Sequence, residues 1–225
     1  MGRLLNIVNQ LHRRTARDYL GRMADDKVAC SEVARRFDRD YWDGDRRHGY
    51  GGYKYDGRWS IVAAEMVNLY SLTANAKILD VGCGRGFLLH ELQQILGKCT
   101  VSGFDVSEYG LATAKEEVRP HLFRHDAREP FPFPDKSFDL VISVNALHNL
   151  PPQDVVKALK EMQRVATKQF LTVESFRDTE ELFNLQCWAL TCETFLRPEG
   201  WQWLFDLAGY TGDYEFVYFE PPVAR

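Results

Sequence analysis

The sequence predicts an α/β protein built on a doubly wound, mostly parallel sheet, on three observations. Between residues 77 and 174 short strand patterns alternate with helical ones, the order that builds a parallel sheet with helices on both faces. The strand cores, Ile78-Leu79, Val101-Ser102-Gly103-Phe104 and Leu140-Val141-Ile142, are β-branched, aromatic or otherwise apolar, as suits strands buried on two sides. The first strand runs through Asp80-Val81-Gly82-Cys83-Gly84-Arg85-Gly86 into a helix, and glycine at alternate positions lets a backbone approach a ligand closely.

The elements follow in order. Residues 4–37 lack proline and place Leu4, Ile7, Val8 and Leu11 at helical spacing, which predicts two helices broken near Gly21. Residues 41–59 are dense in glycine, aromatic and charged residues without either periodicity, so they read as a long loop of the kind used as a lid. A helix over 61–70 leads into strands at 77–81, 100–105, 121–125, 138–145 and 169–174, with helices at 87–96, 109–118 and 154–166 between them. Residues 182–195 read as an apolar and aromatic helix that packs on the core or walls the acceptor site, 198–208 as a helix opened by Pro198, and 214–219 as the last strand. Residues 1–60 are thus an N-terminal helical extension with a Gly/Tyr-rich lid, and residues 61–225 the α/β domain.

Of the 225 residues, 45% are hydrophobic and 27% charged, with a net charge of -4. That balance suits one sizeable core and offers a phosphate polymer no overall attraction, so nucleic acid is not expected as a partner. Five cysteines (Cys30, Cys83, Cys99, Cys187, Cys192) form no C-x-x-C or metal spacing; they read as reduced thiols in a cytoplasmic protein, with no metal site. No run approaches the length a bilayer needs, so no membrane association is expected. Arginines crowd the opening quarter. Arg14 has an i, i+4 partner in Asp18, while Arg13, Arg14, Arg46 and Arg47 together suit a phosphorylated or carboxylated ligand.

The glycine turn carries the chemistry. A dinucleotide turn would read G-x-G-x-x-G and cradle a pyrophosphate at the helix N-terminus. Here the spacing is G-x-G-x-G, with Asp80 two residues before the first glycine, and a carboxylate there favours an amine-bearing ligand over a diphosphate. Residues 78–86 resemble the first motif of class I S-adenosylmethionine-dependent methyltransferases, and the likeness continues in Gly103-Phe104-Asp105-Val106-Ser107, His125-Asp126-Ala127 and the Phe131-to-Val141 lead into the fourth strand. The resemblance implies a Rossmann-like methyltransferase fold binding S-adenosylmethionine and releasing S-adenosylhomocysteine. It implies ribose hydroxyls on Asp105 next to Val106, adenine beside Asp126 and Ala127, and a cofactor cradle from Asp80, Gly82, Cys83, Gly84 and Gly86. The arginine-rich, Gly/Tyr-rich opening resembles small bacterial methyltransferases associated with surface-polysaccharide sugar pathways.

The acceptor belongs beyond the carboxyl ends of the strands, where Asn145-Ala146-Leu147-His148-Asn149 leaves the fourth strand. Asn145 is expected at the cofactor and His148 as the general base. Relatives of this kind fold a lid across the cofactor, which implies that Tyr41, Tyr53 and Arg58 touch cofactor or acceptor, Tyr53 taking part in catalysis and Arg58 meeting the methionine carboxylate. The turn after the fourth strand lacks the Asn/Asp-Pro-Pro-Tyr pattern of nucleobase amino-methylating enzymes, leaving a small molecule, such as a nucleotide-linked sugar or another anionic metabolite, as the expected acceptor. A homodimer stays open. Two rivals also remain: a non-catalytic S-adenosylmethionine-binding subunit, and a dinucleotide-dependent oxidoreductase, which the glycine spacing disfavours. The family sheet ends in a hairpin of two strands, yet only 214–219 is evident before the terminus.

Overall fold

A computed structural model of the chain describes residues 2–13, 15 and 17–221. The helices of the extension are α1 (Asn9–Arg13), α2 (Tyr19–Ala24), α3 (Lys27–Ala34) and α4 (Arg39–Trp42), with a single 3₁₀ turn at Arg46–His48. After them come α5 (Ser60–Tyr70), β1 (Lys77–Val81), α6 (Phe87–Leu96), β2 (Thr100–Asp105), α7 (Glu108–Ala112), β3 (Leu122–Arg124) and β4 (Phe138–Val144). The chain closes with α8 (Pro152–Val165), β5 (Ala166–Ser175), α9 (Thr179–Trp188), α10 (Pro198–Ala208) and β6 (Asp213–Tyr218).

The strands form one sheet in the order β3-β2-β1-β4-β5-β6, and every described strand pair is parallel. The sheet is therefore wholly parallel over the described residues rather than mostly so. Strand order reverses between β1 and β4, which opens a crevice beyond their carboxyl ends, where ligands of doubly wound folds bind. Neighbouring residues alternate between two cores: Leu79 and Val141 pack with Leu159, Trp201 and Phe205 on one face, while Ile78, Leu140 and Ile142 pack with Met66, Leu89 and Leu92 on the other. Period-two alternation between two apolar layers is why these strands read as unbroken hydrophobic runs.

The far edge differs from the family hairpin. β6 pairs directly with β5 in parallel, from Phe170 opposite Asp213 to Ser175 opposite Tyr218. On its open side the N-terminal segment takes the next place: Leu4 bridges Tyr214 in parallel, with Leu5 N–H donating to Tyr214 O at 2.8 Å. Glu215, fully buried, accepts from the N–H groups of Ile7, Val8 and Asn9 at 2.6 to 3.1 Å. The carboxylate thus satisfies orphan donors at the start of α1, and Ile7 and Val8 enter the core beside α5 and α6. The extension is stitched into the domain and covers an edge strand that would otherwise template pairing.

Three local expectations change. Gly21 lies inside α2 instead of breaking a helix; the interruptions fall before Asp18 and at Asp25-Asp26, where Asp18 and Asp26 cap α2 and α3. The helix expected over 109–118 stops at Ala112, where Thr113 turns its hydroxyl back onto Tyr109 O at 2.7 Å. The helix expected over 182–195 ends at Trp188, because Thr191 and Thr194 donate instead to Asn149 Oδ1 and Leu150 O at 2.8 and 2.6 Å. That extended segment becomes a wall of the crevice. Arg14 and Pro222 lie outside the described residues, and no helix among those described is long and apolar enough to cross a membrane.

Candidate functional site

The crevice holds a larger lobe with a cavity volume of about 700 Å³ and a smaller one of about 90 Å³. Trp42, Tyr50, Gly82, Val144 and Asn145 line both. The larger lobe is bounded by Asp105, Val106, Asp126 and Ala127 on the β2 and β3 side, and by Asn149, Thr191 and Glu193 on the other. The smaller is bounded by Tyr53, Asp80, Cys83 and Gly84. Of the residues expected at a cofactor, Asp80, Gly82, Cys83, Gly84, Asp105, Val106, Asp126, Ala127 and Asn145 therefore meet in one space. Gly86 does not line it: at φ 65° it caps α6, and an added Cβ would meet Val118 at 2.9 Å.

Backbone geometry explains the glycines. Gly82 sits at φ 76°, and an added Cβ would lie 2.4 Å from that of Ala146. Gly84 sits at φ 54°, and its Cβ would lie 2.7 Å from the Trp42 ring. Both positions combine a left-handed conformation with a close approach, which only glycine supplies.

The two carboxylates differ. Asp105 is fixed by backbone donors, Gly84 N–H on Oδ2 and Ser107 N–H on Oδ1, each at 2.8 Å. Asp80 is 4% exposed and its Oδ1 has no hydrogen-bond partner among the described residues. Burial, and then the charge of Asp105, push it up to about 8. A buried carboxylate without a cation is costly, and a ligand ammonium is the group that would relieve it. Asp126 lines the lobe but is held in a fork by Arg128.

A loop with aromatic side chains closes over this space. Trp42 stacks on Tyr50 with centroids 5.3 Å apart, Tyr50 meets Tyr53 at 4.5 Å, and Tyr53 stacks on Phe87 at 5.0 Å. Trp42 Nε1 donates to Ser107 Oγ at 2.7 Å. Arg85, buried within the glycine turn, is the anchor: it pairs with Asp43, which also accepts from the Tyr109 hydroxyl at 2.9 Å, and donates to Tyr53 O at 2.6 Å. Sequence reasoning missed Trp42, Asp43, Tyr50 and this use of Arg85. The signal was present in the aromatic and acidic run Tyr41-Trp42-Asp43, but its partners lie far along the chain.

Arg58 does not reach the crevice; it folds onto Asp56 in an exposed pair at 2.5 Å. Tyr53 does line it, with its hydroxyl accepting from Trp59 Nε1 at 3.0 Å; burial, then the neighbouring Tyr50, raise it well above the ordinary phenol range, which disfavours a phenolate base. Tyr41 lines the larger lobe.

His148, expected as the base, is buried and turned away from the crevice lining. Burial holds it down to about 3. Its Nδ1 accepts from Glu174 N–H at 3.3 Å and its Nε2 faces Glu174 Oε2 at 3.5 Å, so the neutral ring orients Glu174. That carboxylate, at the carboxyl end of β5, is pushed up to about 7 by burial, against the opposing charge of Arg17. Burial raises Tyr41, and the charges of Asp105 and Glu174 add to it. Glu174 was legible only as a polar end to an apolar strand.

Residues 78–169 match the family model described as a methyltransferase domain. Over that stretch the chain is similar to class I S-adenosylmethionine-dependent methyltransferases. Its cofactor is S-adenosylmethionine, and the orphaned Asp80 carboxylate together with the glycine cradle fits the amino-acid end of that molecule. Among curated relatives, a mitochondrial arginine-hydroxylase NDUFAF5 of Rattus norvegicus is 31% identical over 52% of this chain and 33% of its own length. A demethylmenaquinone methyltransferase of Chlorobaculum parvum is 32% identical over 49% of this chain and 45% of its own. The chain thus spans less than half the length of either. The YcgJ protein of Bacillus subtilis, a solved structure, shares the fold of this chain at TM-score 0.52 and 22% identity, over 65% of this chain and 66% of that one.

Proposed function

We propose that this chain transfers the sulfonium methyl of S-adenosylmethionine to a small anionic molecule, a nucleotide-linked sugar or a similar metabolite. The unpartnered, buried carboxylate of Asp80 beside the glycine cradle carries the reading, since it calls for a cation at the point where the cofactor's ammonium would lie. A mitochondrial arginine-hydroxylase among the relatives means that family membership alone does not fix the reaction.

The bound cofactor supplies a methyl group already activated by the positive sulfur. The chain's own task is then alignment and the exclusion of water, which together supply much of such a rate. Asp80 holds the ammonium, Asp105 the ribose hydroxyls, and Asp126 with Ala127 the adenine edge. The loop pinned by Arg85 and Asp43 shuts the space. Glu174, which stands behind the crevice lining at the carboxyl end of β5, takes the acceptor's proton, since of Glu174, His148 and Tyr53 only its carboxyl, near 7, combines a usable ionised fraction with basicity at neutral pH. Neutral His148 keeps it in place.

The test is incubation of the purified protein with methyl-tritiated S-adenosylmethionine and a deproteinised small-molecule extract. Label appearing in a fraction retained by an anion exchanger supports the proposal. Tight S-adenosylhomocysteine binding with no label in any fraction supports a binding-only role instead.

A further inference from the structure

Three guanidinium groups surround one indole on the lid side of the sheet. The guanidinium carbons of Arg22, Arg46 and Arg17 lie 4.5, 4.9 and 5.7 Å from the Trp188 ring centroid. They come from α2, the loop after α4 and the segment after α1, whereas Trp188 ends α9, so only tertiary folding assembles them. Each lies within ~10 Å of the others, about one Debye length at ordinary salt, and like charges that close repel.

No carboxylate among the described residues is in contact with them. Among the described residues none of the three forms an ion pair with a carboxylate, although Arg3, Arg13, Arg35, Arg47, Arg58, Arg85, Arg124, Arg128, Arg164 and Arg177 all do. Arg36, Arg39, Arg119 and Arg197 also lack such a pair, but among the described residues only Arg17, Arg22 and Arg46 gather unpaired round one ring. Among the described residues Arg17 Nε is buried without a partner; its Nη1 donates to Thr15 O and its Nη2 to His12 O, and Nη2 also meets the Nδ1 of His12 at 2.7 Å, a ring kept neutral by burial and by Arg17 itself. Arg22 and Arg46 spend one donor each on the backbone carbonyls of Arg47 and Gly49. Most of fifteen N–H donors remain for a ligand. Stacking on an indole holds the forks in place while leaving their edges free.

We infer that Arg17, Arg22 and Arg46 around Trp188 form a binding site for a phosphoryl group. Three cations match a dianion with three terminal oxygens better than a single carboxylate, which one arginine fork satisfies. The site adjoins the crevice: the charge of Arg46 acts on Tyr41 and Tyr50, both of which line it, and that of Arg17 acts on Glu174. An acceptor anchored there by its phosphate would present its other end toward Tyr41 and Glu174. This assignment rests on the anionic-acceptor reading and replaces Arg13 and Arg47, which pair with Glu220 and Asp25.

The experiment titrates the full chain, saturated with S-adenosylhomocysteine, by calorimetry with inorganic phosphate, glycerol 3-phosphate and acetate. The wild type should bind the phosphomonoester at least as tightly as free phosphate and both well above acetate. The Arg22→Gln/Arg46→Gln double variant should lose about tenfold or more in phosphate affinity with S-adenosylhomocysteine affinity unchanged. Equal phosphate affinity in variant and wild type, acetate binding as tight as phosphate, or no phosphate binding by the wild type overturns the site. Failure of S-adenosylhomocysteine to bind would instead strike the methyl-transfer reading, and the phosphate titration would still be read on the apo chain.

Discussion

Replacing Asp80 with asparagine removes one charge and changes little in volume, so its effects can be worked through from the buried carboxylate alone. In the free protein the group sits near 8, above its ordinary 3.8. Protonation is therefore favoured by the fold, and the associated stability is fully present below 3.8 and lost as pH rises through about 8. The wild-type apoprotein should lose up to about 1.4 kcal/mol per pH unit across that window relative to Asp80→Asn. Binding a ligand ammonium reverses the preference, so at pH 7 the wild type should release close to one proton on taking up S-adenosylhomocysteine, and fewer by pH 9. With Oδ1 otherwise unpartnered, removing one member of this buried pair should cost about 3 kcal/mol of binding, roughly a hundredfold. Calorimetry in two buffers of unlike ionisation enthalpy reads affinity and proton release together, and urea titrations between pH 6 and 9 read stability. Equal pH slopes for variant and wild type, or a variant that binds within a few-fold and releases the same proton, would refute the assignment.

Three further outcomes follow from the geometry. Gly82→Ala forces a Cβ against Ala146 at 2.4 Å in a left-handed backbone, so urea unfolding should show a loss of at least about 2 kcal/mol with cofactor binding abolished. Glu215→Ala leaves the N–H groups of Ile7, Val8 and Asn9 without their acceptor; a stability loss of about 3 kcal/mol should accompany rapid proteolysis before residue 20, and unchanged protection there would contradict the stitching role. Glu174→Gln should lower tritium transfer by roughly 10²-fold or more with S-adenosylhomocysteine affinity kept. Wild-type transfer should fall as pH drops below about 7, and the same acid limb persisting in the variant would move the base elsewhere.

The order of strands and helices from Lys77 to Glu174 was readable because the inner strands β1, β4 and β5 are largely buried on both faces and the turns carry their own glycine, proline or acid. The errors fall where a short-range pattern competes with a distant partner. α9 stops at Trp188 because Thr191 and Thr194 find Asn149 and Leu150, and nothing within residues 182–195 encodes those carbonyls and amides. The missing hairpin is similar: the sheet edge is finished by Leu4, more than two hundred residues from β6, in a segment whose apolar spacing reads as helix.

By itself the sequence determined where the glycine turn and the acids that follow the strands stand. Asp80, Gly82, Gly84, Asp105, Asp126 and Ala127 all stand at strand ends or in the turns that follow them, so their positions are set by local backbone geometry once the strands are recognised. Only the tertiary structure decided which side chains line the crevice and which turn elsewhere. Arg58 closes on Asp56 two residues away, while Arg85 reaches Asp43; His148 turns into the core, while Glu174 stands at the end of β5 beside it. Those outcomes depend on burial, and on charges brought close by chain segments far apart in sequence, and neither is written in the residues that share a turn.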